Sequence, residues 1–293
     1  MSFSYKIKKE LSQITNIKPC CSLAEMYGLL LFGKTFSKRE MYINTENEFV
    51  ADKYYSVAAR LSDGKVTKTK SPSGKYRVSV DDEKGRLNVL KAFDLDGTER
   101  SRKINHANLS DMCCFNAFIR GVFLACGTIN DPEKSYHLEF CVPYSLKNGF
   151  LKIIEETGLQ AKEIKRNNSY YLYFKGSEDI LTLFAIMGAN DAVLEYTGVK
   201  IFKDIRNNTN RKMNFENANL DRTIDAAYKQ NAAILKLKKE GKFQKLPPEL
   251  KELAQLRLEN PELSLKEIGE LLDPPMSRSG VNHRFQKIIE YAE

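Results

Sequence analysis

Residues 119–127 read Ile-Arg-Gly-Val-Phe-Leu-Ala-Cys-Gly. The run is apolar enough for a buried helix, yet Gly121 stands near its start and Gly127 at its end. Glycine inside a helix costs about 1 kcal/mol against alanine, so Gly121 implies a compensating contact. A residue without Cβ lets a second backbone come close, and the chain supplies that backbone itself. Residues 20–35 and 113–128 align without a gap at an offset of 93. Cys20/Cys113, Cys21/Cys114, Ala24/Ala117, Gly28/Gly121, Leu31/Leu124 and Thr35/Thr128 are identical pairs. The alignment predicts a tandem duplication whose Gly-bearing helices pack on each other about a pseudo-twofold axis.

The 293 residues allow about two domains. Apolar residues make up 42 % and charged residues 29 %, the balance of a globular protein. No apolar run reaches the ~18 residues of a membrane span, and the lysine-bearing start has no apolar signal core. A cytoplasmic protein is expected, with no membrane partner. The six cysteines include two adjacent pairs but no Cys-x-x-Cys spacing, and His106, His137 and His283 lie far apart. The thiols therefore read as small apolar side chains beside a helix, and neither a metal nor a cofactor is expected.

Charge is distributed unevenly. Residues 1–199 carry 28 basic and 24 acidic side chains, residues 200–247 carry 12 and 5, and residues 248–293 carry 6 and 9. The +7 middle stretch is the electrostatic footprint for a polyanion, nucleic acid above all.

Along the chain, residues 2–14 suit an amphipathic helix with Phe3, Ile7, Leu11 and Ile14 on one stripe. Helix is predicted over 23–32, 52–61 and 85–95, strand-like stretches over 38–43 and 48–50, and a hairpin over 66–80. The polar, basic residues 96–108 read as a connector. The second copy gives helix at 118–125, strand at 136–142, helix at 145–157, a hairpin across Asn167-Asn168, and helix at 178–187. Later positions align at an offset of 94: Tyr76/Tyr170, Val80/Phe174 and Leu90/Phe184. Residues 1–199 thus read as an α+β domain of two αββαββα repeats, about 20–95 and 113–188. A continuous, twisted saddle of strands should lie behind the helix pair.

The paired stretches 26–34 and 119–127, each with Gly at its third position, resemble the LAGLIDADG motif of homing endonucleases. That resemblance implies an Asp at the eighth position of each motif, holding Mg²⁺ over a scissile phosphate, because Mg²⁺ requires hard oxygen ligands. Here the eighth positions are Gly33 and Cys126, and neither can hold the ion. Asp131, just beyond the second motif, has no counterpart in the first copy. The scaffold is expected without catalytic residues.

The C-terminal stretch, 248–293, reads as a small all-α helix-turn-helix domain. Pro248 suits a first helical position, and Ser264-Leu265-Lys266-Glu267 is a capping box for a second helix. Two prolines end that helix, and Ser277 starts a third with Val281, Phe285, Ile288 and Ala292 as its buried stripe. A 100° turn per residue puts Ser279, His283 and Gln286 opposite, flanked by Arg278, Asn282 and Lys287, as on a helix that reads base edges. Arg284 lies nearer the buried stripe and is expected to contact DNA without regard to sequence. In the basic linker-helix region, 200–247, Asn210, Arg211, Lys212, Asn214, Asn219 and Arg222 have two readings. They form a surface that donates to phosphates, or the asparagines cap and turn the chain between domains. The +7 charge favours the first.

Residues 207–230 and 265–293 resemble the WhiA family of bacterial regulators. Membership implies a degenerate LAGLIDADG domain followed by a helix-turn-helix, acting in sporulation and cell division. The expected function is that of a sequence-specific DNA-binding transcriptional regulator at the nucleoid, not an enzyme, whose partner is double-stranded DNA. The alternatives are a division or chromosome-organising factor that docks a protein, and an active endonuclease, which Gly33 and Cys126 disfavour.

Overall fold

Ser2 accepts the Tyr5 amide on its hydroxyl and so starts α1 (Phe3–Gln13). This helix buries Phe3, Ile7 and Leu11, the stripe expected of it. The computed structural model describes residues 1–15, 18–167 and 169–293, in two units, Met1–Lys203 and Asp204–Glu293.

In the first unit α1 is followed by α2 (Pro19–Leu31), β1 (Thr35–Phe36), β2 (Met41–Thr45), α3 (Glu48–Ser62), β3 (Val66–Lys70), β4 (Tyr76–Val80) and α4 (Glu83–Lys91). The second copy repeats the order with α5 (Met112–Cys126), β5 (Gly127–Ile129), β6 (Leu138–Val142), α6 (Tyr144–Glu156), β7 (Lys162–Arg166), β8 (Ser169–Phe174) and α7 (Ser177–Met187). Both copies have the expected αββαββα order. Their strands form two antiparallel sheets, β1-β2-β4-β3 and β5-β6-β8-β7, so the same topology occurs twice. No strand of one sheet pairs with the other among the described residues, which corrects the expected continuous saddle. The strand-like reading of 48–50 is also wrong. Asn47 accepts the Val50 amide on its side chain and starts α3 there, with Glu48 favourably placed in the first turn. Asn167 adopts the left-handed conformation at φ 53°, as the β7–β8 turn requires, while Asn168 lies outside the described residues.

The helix pair forms the centre of this unit. A Cβ on Gly28 would stand 2.4 Å from the Phe118 carbonyl oxygen, and one on Gly121 would stand 2.2 Å from that of Glu25. Each glycine is therefore pressed against the opposite backbone, reciprocally, as the repeat predicted. One offset contact differs between the two sides. Arg120 donates to the Glu25 carboxylate at 2.8 Å and to the Met187 carbonyl at 2.9 Å, all of it buried, and Lys53 also pairs with Glu25. At the matching position across the axis, Tyr27 meets Phe118 with ring centroids 5.7 Å apart.

The helix α8 (Asn190–Lys239) begins in the first unit, where Ala192 and Tyr196 are buried. Glu10 accepts the amides of Asp191 and Ala192 at its start. Through Asp204–Arg222 every residue is exposed, and near its end Ile234 and Leu237 are buried in the second unit. That unit continues with α9 (Pro248–Glu259), α10 (Leu265–Glu270) and α11 (Arg278–Ala292). Leu250, Leu253, Ile268, Val281, Phe285 and Ile288 complete its core. The helix-turn-helix therefore borrows two core side chains from α8. Between α10 and α11 the Met276 amide donates to the Gly269 carbonyl at 2.8 Å. A Cβ at Gly269 would lie 2.2 Å from the Met276 carbonyl oxygen, so only glycine admits so tight a return.

Candidate nucleic-acid interface

Ser277 accepts the Gly280 amide and sets the start of α11, whose buried stripe is the predicted one: Val281, Phe285, Ile288 and Ala292. Arg278, Ser279, Asn282, His283, Gln286 and Lys287 are all exposed. Arg284 makes an ion pair within the unit. Its side chain is 24 % exposed and its Nη2 lies 2.7 Å from Glu249 Oε2, tying α11 to α9. Through this pair Arg284 helps to position the helix.

Asn210, Arg211, Lys212, Asn214, Asn219 and Arg222 lie in the middle of α8, all exposed. None makes a cap or turn, which removes the structural reading of the asparagines. At 100° per residue Arg211, Arg222 and Lys229 fall within about 20° of one line. Lys212 and Asn219 lie to one side of it, Asn210 and Asn214 to the other. Asn219 and Arg222 line a cleft of about 510 Å³ together with Ser264, Lys266 and Arg278. The cleft thus joins the polar signature of α8 to the first residues of α10 and α11, and it gathers three exposed cations, Arg222, Lys266 and Arg278, beside the buried Arg257. The sequence reading passed over Lys266. Its place inside the capping box (Ser264 and Glu267 bond reciprocally, 2.8 and 3.3 Å) was the available signal, since a capping box marks a helix start.

The motif ends of the first unit bear cations where a nuclease needs acids. Arg102, from the connector, donates to the carbonyls of Leu31 and Gly33 at 3.1 and 2.9 Å. Burial pushes the Cys126 thiol well up, and the nearby Lys8 and Arg102 charges only partly oppose this. Desolvation lowers Lys8 to about 8, with Cys126 opposing the shift. Asp131 accepts the Glu133 amide at 2.9 Å and shapes an exposed turn.

The Lys8 shift has a stability consequence. A lysine with a depressed folded-state pKa binds fewer protons than its unfolded form between about 8 and 10.5, so stability rises with pH across that window. Below pH 8 both states are protonated and the full desolvation cost remains. Lys8→Met should therefore be more stable at pH 7 by about 1–2 kcal/mol, after discounting for solvent screening of a half-buried amine. The gap should close as pH approaches 10.5. Urea unfolding of both proteins across this range checks it, and parallel profiles would refute it.

Strand alternation turns Tyr42, Asn44 and Arg77 outward from the first sheet, with Arg77 stacked 3.7 Å from the Tyr42 ring. In the second sheet the outward set is Glu139, Tyr171, Tyr173 and Arg166, and Glu139 binds both His137 (2.9 Å) and Arg166 (3.2 Å). Such polar, aromatic faces suit contact with a macromolecule.

The four paired thiols converge at the other end of the helix pair. The Sγ atoms of Cys20, Cys21, Cys113 and Cys114 all lie within 4.8 Å of one another. Spacing within one copy could not show this, because each copy supplies only half the cluster.

Comparison with known proteins agrees with both units. A model of the WhiA LAGLIDADG-like domain matches residues 115–206, and a model of the WhiA C-terminal HTH domain matches 209–292. A probable cell division protein WhiA from Clostridium perfringens (strain 13 / Type A) is 38 % identical over 312 residues, covering 100 % of this chain and 98 % of that protein. Its namesake from Clostridium novyi (strain NT) is 35 % identical over 311 residues, with the same coverage. The crystal structure of full-length DUF199/WhiA from Thermotoga maritima superposes with a TM-score of 0.60 at 22 % identity, covering 100 % of this chain and 98 % of that one. No described helix is long and apolar enough to cross a membrane. With a duplicated scaffold followed in the chain by a helix-turn-helix, and relatives matched over nearly their full lengths, the chain belongs to the WhiA family.

Proposed function

We propose that this chain is a sequence-specific DNA-binding transcriptional regulator acting in cell division or sporulation at the nucleoid. Residues 248–293 read sequence, 200–247 supply basic contacts, and the duplicated domain, 1–199, contacts DNA without cutting it. The observation that carries this reading is the cleft in which Asn219 and Arg222 meet Lys266 and Arg278. Phosphate contacts fix register while base contacts specify, and the cleft sits beside the exposed Ser279–Asn282–His283–Gln286 face that would enter the major groove. Cleavage is disfavoured by charge: Lys8 and Arg102 stand near motif ends that lack carboxylates, and a divalent ion there would face repulsion.

Genome-wide crosslinking of the chain first identifies a bound site. On a mobility-shift panel of that site and its single-base variants, Asn282→Ala, His283→Ala and Gln286→Ala should each flatten discrimination by ~1–3 kcal/mol at one position. Full discrimination in all three variants would remove α11 as the reading element. In the same preparation, Mg²⁺ or Mn²⁺ should leave supercoiled plasmid intact, and nicking abolished by Asp131→Ala would overturn the non-catalytic reading.

A further inference from the structure

We infer that Cys20, Cys21, Cys113 and Cys114 form a site for one soft divalent cation of the zinc class, clamping the N-terminal ends of α2 and α5 together. The helix pair creates the cluster. Cys20 and Cys21 lie in the first turn of α2, Cys113 and Cys114 in the first turn of α5, and the pseudo-twofold axis passes between them. Across the pair Cys20 faces Cys114 and Cys21 faces Cys113, so the arrangement is symmetric. Four thiolates around zinc, with Zn–S near 2.3 Å, stand about 3.8 Å apart. Sulfurs already within 4.8 Å of one another reach that geometry by shifts of about an ångström.

The surroundings suit such an ion. Four thiolates on a divalent cation leave two negative charges, and the positive ends of two helix dipoles converge on them. Ser110 Oγ lies 3.7 Å from Cys114 Sγ, placed to orient that ligand as second-layer groups do. Cys21 and Cys114 are buried while Cys20 and Cys113 are half-buried, which gives the ion a route in from one side. Thiolate sulfur selects zinc-class ions over magnesium, so the site is chemically unrelated to the hard-cation site of a nuclease. A purely apolar packing role would not require sulfur at all four positions.

Titration of reduced, metal-free, full-length protein with Co²⁺ tests this. Sulfur-to-cobalt charge-transfer absorption and the visible bands of tetrahedral Co²⁺ should grow together, saturate at one ion per chain, and vanish when Zn²⁺ displaces the cobalt. Cys20→Ser and Cys113→Ser should lose the signal, and Cys141→Ser, at an exposed position, should keep it. Because a serine variant can fail to fold, the unmodified protein gives a second readout. Zn²⁺ should slow iodoacetamide alkylation of these four cysteines by roughly tenfold or more, since a coordinated thiolate is withheld from the electrophile, and should leave Cys141 unaffected. Absence of sulfur–cobalt bands, or alkylation indifferent to Zn²⁺, would overturn the proposal. So would recovery of the cluster as two disulfides that form in preference to the metal complex.

Discussion

Gly121→Ala should destabilise the first unit by about 2–4 kcal/mol, although alanine is the better helix former. Intrinsic propensity favours the substitution by about 1 kcal/mol. Packing opposes it more strongly, because the new methyl would lie 2.2 Å from the Glu25 carbonyl oxygen and 2.9 Å from the Leu29 amide nitrogen. Both are backbone atoms of α2, so no side chain can rotate away. The two helices must separate by about an ångström, which also loosens Gly28 against Phe118 and the buried Glu25–Arg120 pair; overpacking of this kind costs ~1–3 kcal/mol or more. Gly198→Ala is the internal control. Gly198 is also helical, but nothing lies within 4 Å of a Cβ built there, so alanine should add up to about 1 kcal/mol of stability. Hydrogen exchange read on peptides from α2, α5 and α8 resolves these changes locally. Equal or favourable effects at Gly121 would mean that the helix pair is not packed backbone to backbone.

Arg222→Ala combined with Arg278→Ala should weaken DNA binding roughly 50- to 100-fold at 0.1 M salt and reduce the salt slope by about 2. Each phosphate neutralised by a cation releases counterions and contributes ~0.9 to the dependence of log K on log salt. Two lost contacts therefore remove about 1.8 from the slope, close to two decades of affinity at that concentration. Arg284→Ala supplies the contrast, since its guanidinium is held by Glu249. Its slope should match that of the unmodified protein, with any loss of affinity arising from a loosened α11. Point variants in the full chain are required, because a fragment starting at 248 would lack Ile234 and Leu237 from its core. An unchanged slope in the double variant would show that the cleft does not hold backbone.

The duplicated scaffold was legible because its defining contact involves identical residues. Gly28 and Gly121 each exist to admit the other helix, and that demand is written twice at one offset. Helix α11 was legible for a similar reason: its apolar stripe and its polar face are local and periodic. Features that require distant parts to meet were harder to read. The four-thiol cluster was overlooked because ligand spacing was sought within one copy, whereas the axis pairs cysteines 93 residues apart. The cleft was unreadable because Arg222 and Lys266 meet only through the packing of α8 against α9–α11. The separation of the two sheets depends on strand pairing that no local pattern encodes. At 48–50, β-favouring Phe49 and Val50 outweighed the Asn47 cap in the sequence reading, yet the cap decided the local structure.

The unequal contact beside the paired glycines restricts how such a molecule can be assembled. Were two copies of the second repeat to associate with each other, Arg120 would face Phe118 instead of Glu25, and two guanidiniums would be buried opposite rings. Removing the acid from a buried ion pair typically costs 3–5 kcal/mol. Two copies of the first repeat would lose the arginine that Glu25 now shares with Lys53. Each half therefore favours the other over itself. The duplication has become a lock and key within one polypeptide, and a symmetric ancestral pairing is no longer available to either part.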